Sequence, residues 1–153
     1  MNNKPMQETQ ARAFLNRLRI IDRRLSAKRE QVQALREMAA HANAQLSGMP
    51  RSASPNLQRL ETLVCKIADL EAEIQQEALD MEAVRLEIAL AVCRLHDPIS
   101  QRVLTMRYID NRKWSEIVDA LGYSRSRVFQ IHEDALCAME KLLAEGGGGD
   151  ELC

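Results

Sequence analysis

Between Phe14 and Ala39, eight positions follow one another at alternating steps of four and three: Phe14, Leu18, Ile21, Leu25, Lys28, Val32, Leu35 and Ala39. A helix lays such a series along one side, and this step pattern is that of a coiled-coil seam. Lys28 is the one polar member. Residues 8–46 are therefore expected as one helix of roughly 39 residues, about 58 Å long at about 1.5 Å per residue. The breaker-rich run Ser47-Gly48-Met49-Pro50-Arg51-Ser52-Ala53-Ser54-Pro55 must end it. A second helix is expected to follow, with Ser54 as its N-cap and Pro55 at its first position. Its seven-residue pattern reads Leu57, Leu60, Val64, Ile67, Ile74, Ala78, Met81, Ile88, Val92 and Leu95, with Glu71 and Arg85 as polar interruptions. Leu63, Leu70 and Val84 widen the stripe. Asp97-Pro98 should stop it near His96 and cap another helix.

Charge pairs these two stretches. Residues 1–56 sum to +6 and residues 57–97 to −5. Matching heptads, opposite charge and a short loop predict an antiparallel coiled-coil hairpin over residues 8–96. Arg17, Arg19, Arg23, Arg24, Lys28 and Arg29 then form either a plain solvated face or a surface for nucleic acid or an acidic partner. Lys28 on the seam is a candidate register device.

After Pro98 the rhythm shortens. Pro98 to about Ile109 reads as one helix with Ile99, Val103, Leu104 and Tyr108 inward, and Asp110-Asn111-Arg112 as a turn. Trp114 to Leu121 reads as a second helix with Trp114, Ile117, Val118 and Leu121 inward. Gly122 suits the left-handed residue that ends a helix at a sharp turn. Ser124 caps a third helix, expected to run to about Leu143 with Val128, Ile131, Ala135, Leu136 and Met139 inside. A short helix, a glycine-centred turn and a longer capped helix give the spacing of a helix-turn-helix domain, here over residues 97–145. Residues 1–7 are expected to be flexible and the Gly-rich residues 146–153 disordered. The fold class is accordingly all-α: a long antiparallel helical hairpin followed by a small helix-turn-helix domain.

The third helix opens with DNA chemistry. Arg125 and Arg127 can bond guanine through two edges, and Gln130 can do the same with adenine. The Ser124 hydroxyl and the free N–H groups of a helix start suit a phosphate. Arg102, Arg107, Arg112 and Lys113 add possible phosphate contacts. Residues 98–132 sum to +3 and residues 133–153 to −5, so the reading surface is basic although the chain is −1 overall.

The stretch 114–136, WSEIVDALGYSRSRVFQIHEDAL, resembles region 4 of bacterial sigma-70-type factors. The similarity rests on Leu-Gly-x-Ser-Arg-x-Arg-Val-x-Gln-Ile followed by Ala-Leu, and extends loosely from Asp97 to Leu143. The resemblance implies that the helix from Ser124 to Leu143 reads duplex DNA through the major groove, with Arg125, Ser126, Arg127 and Gln130 at base- and phosphate-contacting positions. Departures accompany it. Ser126 stands where the family commonly has Glu, and Phe129 where it has Arg. Phe129 can pack on a thymine methyl, meet a partner or sit half-buried. Val118 replaces a small residue where two helices cross, so the crossing should be slightly wider. Lys113 replaces a polar cap, so that helix start should fray. A whole sigma factor also needs clustered aromatics to melt DNA, and Phe14 is the one aromatic before Tyr108. The layout resembles small phage- or prophage-encoded late-transcription regulators.

The function expected is that of a DNA-binding transcriptional regulator. Its partners would be double-stranded DNA, RNA polymerase and further copies of the chain through the hairpin. The alternatives are a phage DNA-packaging recognition subunit and a coiled-coil adaptor that binds RNA polymerase. Catalysis is not expected: His41, His96 and His132 fall on different helices, and no phosphate-binding glycine loop is present. Neither a metal nor a cofactor is expected, since Cys93 and His96 are two ligands without a second pair. Scattered cysteines, no apolar leader and no membrane-length apolar run point to the cytoplasm.

Overall fold

The computed structural model describes residues 9–46 and 55–146, and among these every regular element is helical. Helix α1 spans Gln10–Leu46, α2 Pro55–Cys93, α3 Pro98–Leu104, α4 Trp114–Leu121 and α5 Arg125–Gly146. A single π-helical turn, Thr105–Ile109, continues α3. The two long helices pack against each other as a hairpin. The expected features of residues 1–7, Ser54 with its loop, and the terminal tail beyond Gly146 lie outside the described residues.

The α1 seam follows its sequence pattern from Leu18 onward, while at its start Leu15 is fully buried and Phe14, expected there, is half-buried. Leu18, Ile21, Leu25 and Val32 are buried, Lys28, Leu35 and Ala39 are half-buried, and Ala42 extends the series. The α2 seam needs correction. Leu57 and Val64 are 45% and 55% exposed, while Leu63 and Leu70 are buried. The inward series is Leu60, Leu63, Ile67, Leu70, Ile74, Glu77, Met81, Val84, Ile88, Ala91 and Leu95, again in steps of three and four. Of the expected positions, Leu57 and Val64 therefore turn outward, Leu63, Leu70 and Val84, expected only to widen the stripe, lie in it, and Val92 is buried as expected. The seam keeps one polar member, Glu77 in place of Ala78.

The polar member of each helix faces the other. Lys28 Nζ donates to Glu77 Oε1 at 2.7 Å and lies 3.1 Å from Glu73 Oε2. Arg36 pairs with Glu71 nearby. These contacts hold the compact unit formed by residues 21–46 and 55–81. The hydrogen bond to Glu77, reinforced by Glu73, raises the Lys28 pKa above its ordinary value.

The second compact unit joins residues 9–20 to residues 82–146. It contains the start of α1, the end of α2 and all the short helices. Ala11, Leu15, Val84, Ile88, Val103, Leu104, Ala135 and Met139 are buried in it. Arg17 Nη1 pairs with Glu87 Oε2 at 3.0 Å. Helix α1 is tied to α5 at its first turn, where N–H groups lack helical acceptors. The Ala11 N–H donates to Glu140 Oε2 at 2.6 Å, and Arg12 Nη2 donates to Glu133 Oε1 at 2.6 Å.

Helix α2 stops at Cys93, three residues before the expected His96. The Gln101 side-chain amide explains the early end: it donates to the carbonyls of Cys93 (3.2 Å) and Leu95 (2.5 Å). Asp97 caps α3, its Oδ1 accepting from the Ile99 N–H and its Oδ2 from the Ser100 hydroxyl. That hydroxyl is the main reason the Asp97 carboxyl titrates below its usual range. Ser100 is consequently buried while Ile99, expected inside, is 36% exposed.

Candidate nucleic-acid interface

The segment expected as one α-helix to Ile109 widens after Leu104. The Asp110 N–H donates to the Thr105 carbonyl five residues back, and the Arg112 N–H reaches the Met106 carbonyl. Such π turns free carbonyls from the ordinary ladder. Two arginines take them: Arg19 Nη2 donates to the Arg107 carbonyl at 3.5 Å, and Arg85 Nη1 to the Ile109 carbonyl at 3.3 Å. Asn111, with φ of 54°, then turns the chain into α4. Asparagine tolerates this left-handed conformation better than most residues.

Helix α4 starts at Trp114. Lys113 supplies no side-chain cap, as its replacement of a polar residue implied, but Glu116 Oε2 accepts the Lys113 N–H at 2.9 Å and ties this helix start. Lysine has no acceptor with which to complete a reciprocal box. Ile117 is fully buried with Met106 and Val128, and Trp114, Val118 and Leu121 pack around them. Val118 is thus accommodated at the helix contact. The α4 ladder closes with the Gly122 N–H on the Val118 carbonyl at 3.0 Å. Gly122 has φ of 71°, and a Cβ there would meet nothing within 4 Å. Backbone conformation, not space, is what calls for glycine at this turn.

Ser124 caps α5 as expected: its Oγ accepts the Arg127 N–H at 3.2 Å, and its carbonyl accepts the Val128 N–H at 3.0 Å. The helix continues to Gly146, three residues past the expected Leu143. Val128, Ile131, Ala135, Leu136 and Met139 are buried as the spacing predicts. That burial turns Ser124, Arg125, Ser126, Arg127 and Gln130 to solvent together. Arg112 and Lys113 are exposed in the segment before α4. Arg127 Nη1 lies 3.3 Å from Gln130 Oε1, one turn along the same face.

Sequence reasoning missed an aromatic stack beneath this surface. The Arg107 guanidinium lies 4.8 Å from the centre of the Trp114 ring. Trp114 meets Phe129 at 4.8 Å between centroids, and the Arg125 guanidinium lies 5.5 Å from the centre of the Phe129 ring. Phe129 is therefore half-buried against Trp114, the third of its three expected placements. Arg107, expected as a phosphate contact, is engaged by Trp114 and by the Arg112 carbonyl at 3.0 Å. Trp114 also presents itself edge-on to His132 at 4.7 Å. His132 is buried, and its Nε2 shares a hydrogen bond of 2.8 Å with the Tyr108 hydroxyl. Burial first, and the Arg12 charge second, push the His132 pKa down to about 4. The signal for its burial was present in sequence. His132 lies four residues after Val128 and four before Leu136, on the inward face of α5.

Among the described residues, no three of His, Cys, Asp and Glu lie together as a metal site would require. Cys65, Cys93 and Cys137 are exposed as free thiols. No helix of the described residues is long and apolar enough to cross a membrane.

The architecture thus defines an all-α protein in which a helical hairpin leads into a set of short helices. The chain belongs to the family described as protein of unknown function (DUF1492), whose model matches residues 60–140, just over half of the chain. No curated protein and no solved structure matches it.

Proposed function

We propose that this chain is a DNA-binding transcriptional regulator whose α4–turn–α5 segment works as a helix-turn-helix similar to sigma-70 region 4. The observation that carries the reading is the joint exposure of Ser124, Arg125, Ser126, Arg127 and Gln130 on the first turns of a capped helix. Arg125 and Arg127 supply two forked donors for guanine edges or phosphates, and Gln130 supplies an amide for adenine. Arg112 and Lys113 flank this surface as phosphate contacts. Ser126 provides no carboxylate, so preference for cytosine at its contact position is weak.

The surface is basic locally, since residues 98–132 sum to +3. Electrostatic attraction to phosphate supplies affinity, and the side chains of α5 supply the choice of sequence. RNA polymerase is the proposed second partner, reached through the same resemblance to region 4.

A mobility-shift titration of the full chain against random-sequence duplex tests this. Wild type is expected to shift duplex at low salt, and Arg125→Ala with Arg127→Ala to weaken the shift at least tenfold, about 1.4 kcal/mol. No shift at low salt, or an unchanged shift in the double variant, contradicts the reading.

A further inference from the structure

Helix α2 is apolar on two opposed sides. One side is the inward seam that includes Val84, Ile88 and Leu95. On the other, Ala83, Leu86, Leu90 and Cys93 form a second stripe in steps of three, four and three, and all four are exposed. Leu86 and Leu90 are each 60% exposed, and Leu79 one turn earlier is 67% exposed. A helix of a two-stranded hairpin needs one apolar stripe, so a second on the same helix calls for a second partner. Isolated exposed leucines are ordinary; three on one face within a dozen residues, with Ala83 between them, are not.

We infer that this outward stripe is an interface with a second copy of the chain, in which α2 packs antiparallel on α2 about a two-fold axis level with Ile88. The pattern is self-complementary in that register. Leu86 faces Leu90 of the second copy, Ala83 faces its Cys93, and each contact recurs by symmetry. Charge agrees along the flank. Arg94 comes beside Asp80 of the second copy, opposite in sign. The carboxylates of Glu87 and its symmetry mate approach across the axis, and each is already paired with its own Arg17 at 3.0 Å. On α1 the exposed large hydrophobics are Ile20 and Met38, 18 residues apart, with Arg23, Arg24 and Arg29 exposed between them, so they form no stripe like that of Leu86 and Leu90. A second α2 is therefore the fitting occupant.

This inference stands apart from DNA binding, and its test uses the full chain without nucleic acid. Sedimentation is expected to give twice the chain mass of 17.3 kDa. Leu86→Glu with Leu90→Glu is expected to return a single chain mass with an unchanged helical spectrum. Under copper–phenanthroline oxidation, Ala83→Cys is expected to cross-link two chains through native Cys93, and Ala83→Cys with Cys93→Ser to lose the product. The cross-link arm decides the matter even if the glutamate variant unfolds. A wild-type monomer, a ring of many chains, or a dimer untouched by the glutamates overturns the inference. So does a wild-type Cys93–Cys93 cross-link, which would require parallel helices or an axis level with Cys93 instead of Ile88.

Discussion

His132 shows how much one buried side chain contributes to this molecule. The folded chain keeps its imidazole neutral to about pH 4, whereas the ordinary value is 6.5. On acidification the unfolded chain takes up a proton there first, so the equilibrium shifts toward unfolding. The contribution is complete above about pH 6.5 and is lost as pH falls toward 4, on the order of 3 kcal/mol. Urea unfolding at pH 7, 5.5 and 4.5 checks this. His132→Gln retains an acceptor for the Tyr108 hydroxyl, and its stability is expected to fall less than that of wild type over the interval. Parallel pH curves for the two proteins contradict the assignment. The Lys28–Glu77 pair makes a second case at this scale. Glu77 Oε2 is buried without a hydrogen-bond partner, so the carboxylate depends on Lys28. Lys28→Met is expected to lower Tm, and Lys28→Met with Glu77→Met to restore or exceed the wild-type value. Thermal melts of the two variants decide it; a double variant no better than the single one counts against the pairing.

At the scale of elements, the turn between α4 and α5 sets where the exposed residues of α5 stand. Gly122→Ala is expected to cost about 1–2 kcal/mol through its left-handed backbone, and Gly122→Asn less. Denaturant midpoints measure both, and equal costs would point to packing instead of conformation. The order of the helices was legible in the sequence because it rests on periodicity, on Asp97-Pro98, and on Gly122 with Ser124. The phase of the α2 seam was not. Leu57 and Val64 are about as apolar as Leu63 and Leu70, so composition alone could not choose between two frames sharing Leu60, Ile67 and Ile74. Glu77 was the obstacle, since its place inside is set by Lys28 on another helix. The π turn was hidden for a related reason: its freed carbonyls are met by Arg19 and Arg85, far away in sequence. The exposed residues of α5 were readable, because inward spacing fixes the outward face. The stack of Arg107, Trp114, Phe129 and Arg125 was not, because it joins three elements by tertiary contact.

For the whole molecule, the formal charge of −1 conceals a strong segregation. Acidic α2 offsets basic α1, and the acidic end of α5 offsets its basic start. Binding to DNA depends on the local surface, so near-neutrality overall does not prevent it. Salt dependence of duplex binding by the full chain, followed by fluorescence anisotropy, tests that claim most directly. The account predicts affinity that falls steeply and linearly on logarithmic axes as salt rises, and a slope shallower by about 2 in an Arg112→Ala, Lys113→Ala variant, at about 0.9 per phosphate contact. An affinity that ignores salt, or a slope the two substitutions leave unchanged, would contradict it.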